Sequence, residues 1–432
     1  MQGDIVIHPS TLCGYVEAPP SKSYGHRLLI AASFCDREVT LKRLGMCDDI
    51  ATTIGALNQI GAKIEKNGEN YAVTPYFSNK TKSSAVKIEP KIIDCGQSGS
   101  TARFLLPVAA ALGESARFIG SGRLPMRPMQ PLTSLLREHG LILSSDFLPI
   151  DICGKIGGGH YEIDGGISSQ FISGLLFALP LLDEGGEIEI VGNIESENYI
   201  KMTADVLRRF GAAVKSYNGG RHYSVGGGGY KAESDSYTVE GDWSAAAFWL
   251  VAAAIGNSEI EIGGLNRESL QGDSRIIDTL KMFGADIDTA AKEITVRGHS
   301  ALKSAEIDCE NIPDLVPILA VAAAYADGKS VFHGIERLRI KESDRVRATI
   351  SMLSAFGISA GADSHSLWVI GGHPRGGDID CFGDHRIAMS AAVCASRADG
   401  ETAIRGADCV SKSYPKFFDD FSKKLGGAVT II

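Results

Sequence analysis

The stretch APPSKSYGHR at Ala18–Arg27 places Lys22 between two serines, directly before the apolar run LLIAASF. A cation at a helix start opposes the positive end of the macrodipole. Lysine there needs a reason other than helix formation, and an anion held on the free N–H groups of the first turn supplies one. The segment is not a P-loop, because G-x-x-x-x-G-K-[ST] is absent. Similar polar openings precede five more apolar runs, at Gly99/Ser100, Ser168/Ser169/Gln170, Asp242, Asp314 and Asp384/His385/Arg386. A serine or aspartate alone at such a place is an ordinary N-cap. Lys22 and Arg386 do not fit that reading, and local conflicts of this kind tend to mark functional sites. If the helices run parallel, these cations and N–H groups converge on one anion.

Further cations stand in loop-like contexts: Arg127 in GSGRLPMRPM, Lys341 and Arg345 with Glu342 and Asp344 in RLRIKESDRVRA, and Lys412 in CVSKSYPKFF. Alone, RLRIKESDR reads as an exposed helix with i,i+4 ion pairs, and Lys412 as a solvated lysine. Together they point to one or two substrates bearing phosphate and carboxylate, which arginine forks hold bidentately.

The elements that position these residues follow from a repeat. An Ala/Leu-rich segment recurs as SYGHRLLIAASF, GSTARFLLPVAAAL, SSQFISGLLFALPLL, DWSAAAFWLVAAAI, PDLVPILAVAAAYA and DHRIAMSAAVCA. A second segment, leucine followed by glycine and a strand, alternates with it as LNQIGAKI, LREHGLIL, LRRFGAAV, LKMFGADI, LSAFGISA and KLGGAVTI. Both recur six times at a spacing of roughly 70–75 residues. Each repeat reads as strand–helix–strand–helix–strand. The first helix is apolar nearly all round and therefore buried; the second is amphipathic and ends at a glycine cap. Strands such as EIEIVG and KEITVRG alternate apolar and polar, so their sheets face water on one side. The expected fold is α/β, with buried helices inside solvent-faced sheets, in two domains of three repeats each. The break falls near residues 235–244, and the strand before Pro19 is assigned to the second domain.

Composition narrows the partners. The chain has 432 residues and a formal net charge of -9, which disfavours nucleic acid and anionic membranes. Its nine cysteines are scattered without a C-x-x-C pair and its ten histidines lack ligand spacing, so neither a disulfide framework nor a metal site is expected. MQGDIVIHPS lacks a signal pattern, and the apolar run Leu315–Ala326 is too short to span a bilayer. A soluble, cytoplasmic, monomeric protein is expected.

The sequence resembles the 5-enolpyruvylshikimate-3-phosphate synthases, within the enolpyruvyl transferases. PSKSYGHR, GQSGSTAR, RPM, SSQFISGLL, the S-x-x-Y of Ser196–Tyr199, EGDWSAA, PDL, RIKESDR, GDHRIAM and SKSYP occur in order along the whole chain. The resemblance implies an inside-out α/β barrel in two domains, 21–238 and 1–20 plus 239–432, with the active site in the cleft between them. It implies transfer of the enolpyruvyl group of phosphoenolpyruvate to the 5-hydroxyl of shikimate 3-phosphate, with release of phosphate through a tetrahedral intermediate. This is a step of chorismate and aromatic amino acid biosynthesis, without metal or cofactor. By the same resemblance Lys22, Ser23, Arg27, Ser168, Ser169, Gln170, Ser196, Tyr199, Asp314 and Lys341 hold shikimate 3-phosphate. Lys22, Gly99, Arg127, Gln170, Arg345, Arg386 and Lys412 hold phosphoenolpyruvate. Asp314 is the candidate base, Glu342 the candidate proton donor, and Lys22 also takes part in the chemistry. Gly99 is expected to stay small so that a Cβ does not intrude on bound phosphate.

Gln97 and Ser100 replace the asparagine and threonine of the family pattern G-N-[AS]-G-T, a change that bears on inhibitors mimicking phosphoenolpyruvate. Two rivals share features of this reading. The UDP-N-acetylglucosamine enolpyruvyl transferases carry asparagine after the N-terminal lysine and a cysteine before the R-P; this chain has Ser23, and no cysteine in Gly120–Pro128. An RNA-phosphate cyclase-like protein would show a basic, aromatic-rich stripe, which the acidic composition does not favour.

Turnover is predicted to be metal-independent, because the sequence shows no ligand-spaced cluster. The rate should survive exhaustive chelation; a loss restored by a divalent ion would overturn this.

Overall fold

The structure, a computed structural model, describes residues 3–79, 90–298 and 301–432. The chain divides into two compact units, one of Pro20–Glu240 and the other of Met1–Pro19 with Gly241–Ile432. Each has its own apolar core.

Among the described residues each unit holds three four-stranded sheets with one shared pairing order. Lys91–Asp94 runs parallel to Ala116–Ile119, which pairs antiparallel with Ile150–Cys153, which pairs antiparallel with Ile142–Leu143. The same parallel–antiparallel–antiparallel order holds for Gly159–Asp164, Gly186–Val191, His222–Val225 and Val214–Tyr217. Each sheet thus has one strand more than the repeat read from the sequence, because the final strand of each repeat is a hairpin. In the other unit, Gly14–Glu17 is the parallel partner of Glu259–Gly263, and Ile5–His8 lies between Thr402–Arg405 and Ala428–Ile431. Ser236–Thr238 in turn completes the sheet begun by Val39–Lys42.

The strands bury alternate residues. In Gly186–Val191, Ile188 and Ile190 are buried while Glu187 and Glu189 face solvent. The Ala/Leu-rich segments are the helices Lys22–Ser33, Gly99–Leu112, Ser169–Ala178, Trp243–Ile255, Val316–Ala324 and His385–Ala395. Every residue from Val316 to Ala324 is buried. The amphipathic helices end at glycines with left-handed backbone, such as Gly211 at φ 67° and Gly357 at φ 75°, where a Cβ would crowd the carbonyl.

Close helix packing in the Pro20–Glu240 unit depends on one proline and one glycine. Pro107 lies inside Gly99–Leu112 and has no N–H to give the Arg103 carbonyl one turn earlier. A Cβ on Gly174, in the facing helix Ser169–Ala178, would sit 2.3 Å from that oxygen and 2.9 Å from Pro107 Cγ. Only a glycine lets the helices approach this closely. Gly174→Ala is therefore expected to destabilise the protein by at least about 1–3 kcal/mol, the usual cost of overpacking. Urea unfolding measures it, and an unchanged midpoint would show that the helices can part at no cost.

Candidate active site

The sequence-predicted residues gather into two sets, one in each unit. In the Pro20–Glu240 unit, Ser21 caps the helix Lys22–Ser33 by accepting from the Tyr24 N–H. The misplaced charge of Lys22 is met by Asp49, whose Oδ2 lies 2.9 Å from Lys22 Nζ. Asp49 is at the start of Asp48–Ile60, where an acidic residue also suits the macrodipole.

Arg27 is buried and stitches two helices together. Its Nε donates to Thr203 Oγ1 at 2.9 Å, Nη1 to the Ser23 carbonyl at 2.8 Å and Nη2 to the Tyr199 carbonyl at 2.9 Å. Its guanidinium lies over the rings of Phe104 and Tyr199 at 5.2 and 5.7 Å. Burial lowers its pKa to about 10.

Ser168 caps Ser169–Ala178 by accepting from the Gln170 N–H. The Gln170 side chain accepts from Arg103 Nη1 at 2.7 Å and donates to Ser100 Oγ at 2.9 Å. Ser196 is buried before Glu197–Arg209 with left-handed backbone at φ 54°, a conformation that costs a non-glycine residue about 1–3 kcal/mol. Arg127 packs on Gly99: a Cβ there would lie 3.0 Å from Arg127 Nη1, so the group it would first meet is this guanidinium. This set is predominantly cationic.

The set in the other unit is charge-balanced and built on Arg345. This arginine is buried at the start of Arg345–Ala355, behind the capping residue Asp344. Its Nη1 donates to Asp314 Oδ1 at 2.7 Å, Nη2 to Glu342 Oε2 at 2.7 Å and Nε to Asp384 Oδ2 at 2.8 Å. Asp384, fully buried, also accepts from Ser343 Oγ at 2.9 Å and from the Arg386 N–H at 3.0 Å. Asp314 further accepts from Arg386 Nη2 at 3.1 Å and lies 3.6 Å from Lys341 Nζ. Asp314 occupies a 3-10 turn, Pro313–Leu315, leading into Val316–Ala324, and does not cap the helix; its carboxylate is turned to cations instead. Lys412 is buried at the end of Ala407–Lys412.

Burial opposes the charge on Asp314, but Arg386, Lys341 and Arg345 outweigh it and hold the carboxyl well below its ordinary range. Burial lowers the Lys341 ammonium to about 8. Asp273, buried in Gly272–Arg275 and accepting from Ser244 Oγ, is pushed up to about 7 by burial and then by the Asp314 charge.

Asp49, Arg103 and Asp273 are absent from the sequence-based site. Arg103 had a signal, a lone charge inside the apolar helix of GSTARFLLPV. Asp49 looks like an ordinary first-turn acid, and nothing in QGDSR marks Asp273 as buried.

Residues 6–421 match the family model of EPSP synthase (3-phosphoshikimate 1-carboxyvinyltransferase). The 3-phosphoshikimate 1-carboxyvinyltransferase of Clostridium acetobutylicum is 38% identical over 431 residues, covering 98% of each chain. That of Clostridium kluyveri is 39% identical over 430 residues, again 98% of each. An EPSP synthase structure from Acinetobacter baumannii aligns with a TM-score of 0.81 at 25% identity, over 99% of this chain and 100% of that one. The enolpyruvyl transferase NikO from Streptomyces tendae, at 18% identity and a TM-score of 0.78 over 100% of this chain and 99% of that one, shares the fold.

The Asp273 environment has a consequence for stability. Its folded pKa of about 7 lies above the ordinary value of 3.8, so between these pH values the folded state binds the extra proton. Stability then falls as pH rises through that window. Asp273→Asn removes the group, and relative to the parent protein the variant should gain stability from pH 4 to pH 8. Urea unfolding at both pH values checks this; a constant difference between the two proteins would refute it.

Proposed function

The chain belongs to the EPSP synthase family and is an enolpyruvyl transferase of the shikimate pathway; from that premise we propose how its residues divide the work. The substrates are phosphoenolpyruvate and shikimate 3-phosphate, and the enzyme works in the cytoplasm as a monomer. Lys22, Ser23, Arg27, Ser168, Ser169, Gln170, Ser196 and Tyr199 hold shikimate 3-phosphate, with Asp314 and Lys341 on its ring. The cationic character of this first set supports its role toward a phosphate ester. Arg127, Arg345, Arg386 and Lys412 hold phosphoenolpyruvate together with Lys22, Gln170 and the Gly99 backbone.

The observation that carries the chemical assignment is the Asp314 carboxylate among Arg345, Arg386 and Lys341. Held so far below its ordinary range, it is a weak base in the ligand-free arrangement. Anions bound to the same cations bring negative charge toward Asp314 and raise its proton affinity. Substrate thereby switches on the base that accepts the 5-hydroxyl proton. The oxygen adds to the central carbon of phosphoenolpyruvate while the methylene carbon gains a proton. Loss of phosphate with removal of a methyl proton then gives the product. Glu342 is the proposed donor to the methylene carbon. Lys341 is a second reading for this role, favoured by its pKa of about 8, which makes its ammonium a competent acid near neutrality.

Phosphate release from a mixture of the two substrates tests the activity. Two variants separate chemistry from binding. Asp314→Asn keeps the shape but removes the base, and should lower kcat by about 10²–10⁴ while shikimate 3-phosphate binds nearly normally. Lys22→Met deletes a charge that holds anions already in the ground state, and should weaken binding as well as turnover. Calorimetry beside steady-state rates distinguishes them. Near-normal kcat in Asp314→Asn would remove Asp314 as base, and normal binding of both anions by Lys22→Met would remove Lys22 from the anion site.

A further inference from the structure

We propose that the solvent face of the sheet formed by Gly159–Asp164, Gly186–Val191 and His222–Val225 binds a divalent transition-metal cation through His160, Glu162 and Glu189. None of the three is among the residues assigned to the transfer chemistry. His160 and Glu162, two residues apart on one strand, project to the same face. The parallel register sets Glu162 opposite Glu189 and His160 opposite Glu187. One potential ligand atom from each of His160, Glu162 and Glu189 lies within 4.8 Å of the others, and His160 Nε2 is 3.2 Å from Glu189 Oε2. On the far side of the central strand, His222 is register-paired with Glu189 and its Nε2 lies 3.8 Å from Glu187 Oε2.

Two ligands at i and i+2 with a third from the neighbouring strand give donors that converge from a rigid base. These side chains are exposed and have rotamer freedom to close on a metal at roughly 2.0–2.2 Å, the usual distance for imidazole and carboxylate ligands. The set also has a reason to take up a cation. Like charges directly opposite on neighbouring strands destabilise a sheet, and Glu162 faces Glu189 in this way. An imidazole with two carboxylates suits a borderline ion of the Zn²⁺ type more than calcium or magnesium, which prefer all-oxygen shells. Sequence spacing did not reveal this cluster, because its members come from strands 27 positions apart that meet only through sheet register.

Titration of Zn²⁺ into chelator-stripped protein, followed by calorimetry, tests the proposal. One saturable equivalent is expected. His160→Ala and Glu189→Gln should each weaken it by at least about tenfold, since even outer-shell partners of metal ligands are worth about 10–100-fold. His333→Ala, which changes an exposed histidine paired with Glu306 in the other unit, should leave it unchanged. Should either site variant fold poorly, Glu162→Gln gives the same comparison by thermal melting, with Zn²⁺ raising the melting temperature of the parent alone. Absence of a saturable equivalent, or binding that persists undiminished in His160→Ala/Glu189→Gln, would overturn the proposal.

Discussion

A helix buried on all sides can meet polar partners only at its ends. Val316–Ala324 and Trp243–Ile255 present almost nothing but alanine and larger apolar side chains to their neighbours, so polar residues collect at their N-terminal approaches. There the free N–H groups and the positive macrodipole favour anions. Any cation at such a place must be matched. Lys22 is matched by Asp49, and Arg386 by Asp314. The architecture thus draws paired charge to the starts of the buried helices.

Arg345 shows what such a cluster demands. A buried guanidinium with one carboxylate would strain to recover its desolvation; with Asp314, Glu342 and Asp384 on its donors it fixes three acids at once. Removing one member of a buried ion pair usually costs about 3–5 kcal/mol, because a charge is left without its partner. The residue read from sequence as a phosphoenolpyruvate clamp is therefore also the organiser of the acids around it. Asp314 and Asp273 are set apart by their surroundings: the cations hold Asp314 far below the carboxylate range, while burial and the Asp314 charge push Asp273 above it.

The repeat, the buried helices and the glycine stops were legible because each is written in local periodicity. The alternation of EIEIVG and the all-apolar AAAFWLVAAAI need no distant partner to be understood. The grouping of Lys341, Glu342 and Arg345 was visible through the compact motif RIKESDR, and their link to Asp314 through the family resemblance. What escaped depends on tertiary contact. Asp49 matters because of Lys22, 27 positions earlier, and Arg103 because of Gln170, 67 positions later. The strand that pairs back on the one after each glycine stop, as Ile150–Cys153 does on Ile142–Leu143, lies outside the two recurring segments. The role expected of Gly99 toward a ligand had no way to include Arg127, whose guanidinium packs there.

The strand order also bears on how the chain folds as it leaves the ribosome. Every strand of the Pro20–Glu240 unit comes from one continuous stretch, so its core can close once Ser236–Thr238 has joined Val39–Lys42. In the other unit Ile5–His8 is a central strand whose two neighbours, Thr402–Arg405 and Ala428–Ile431, come far later in the sequence. That strand must wait for the long intervening stretch to be made with both edges unpaired, and exposed strand edges invite pairing with other chains. At Ile5–His8 the burden of synthesis falls on a segment of four residues alternating isoleucine with valine and histidine, short enough to be a poor template for association while it waits.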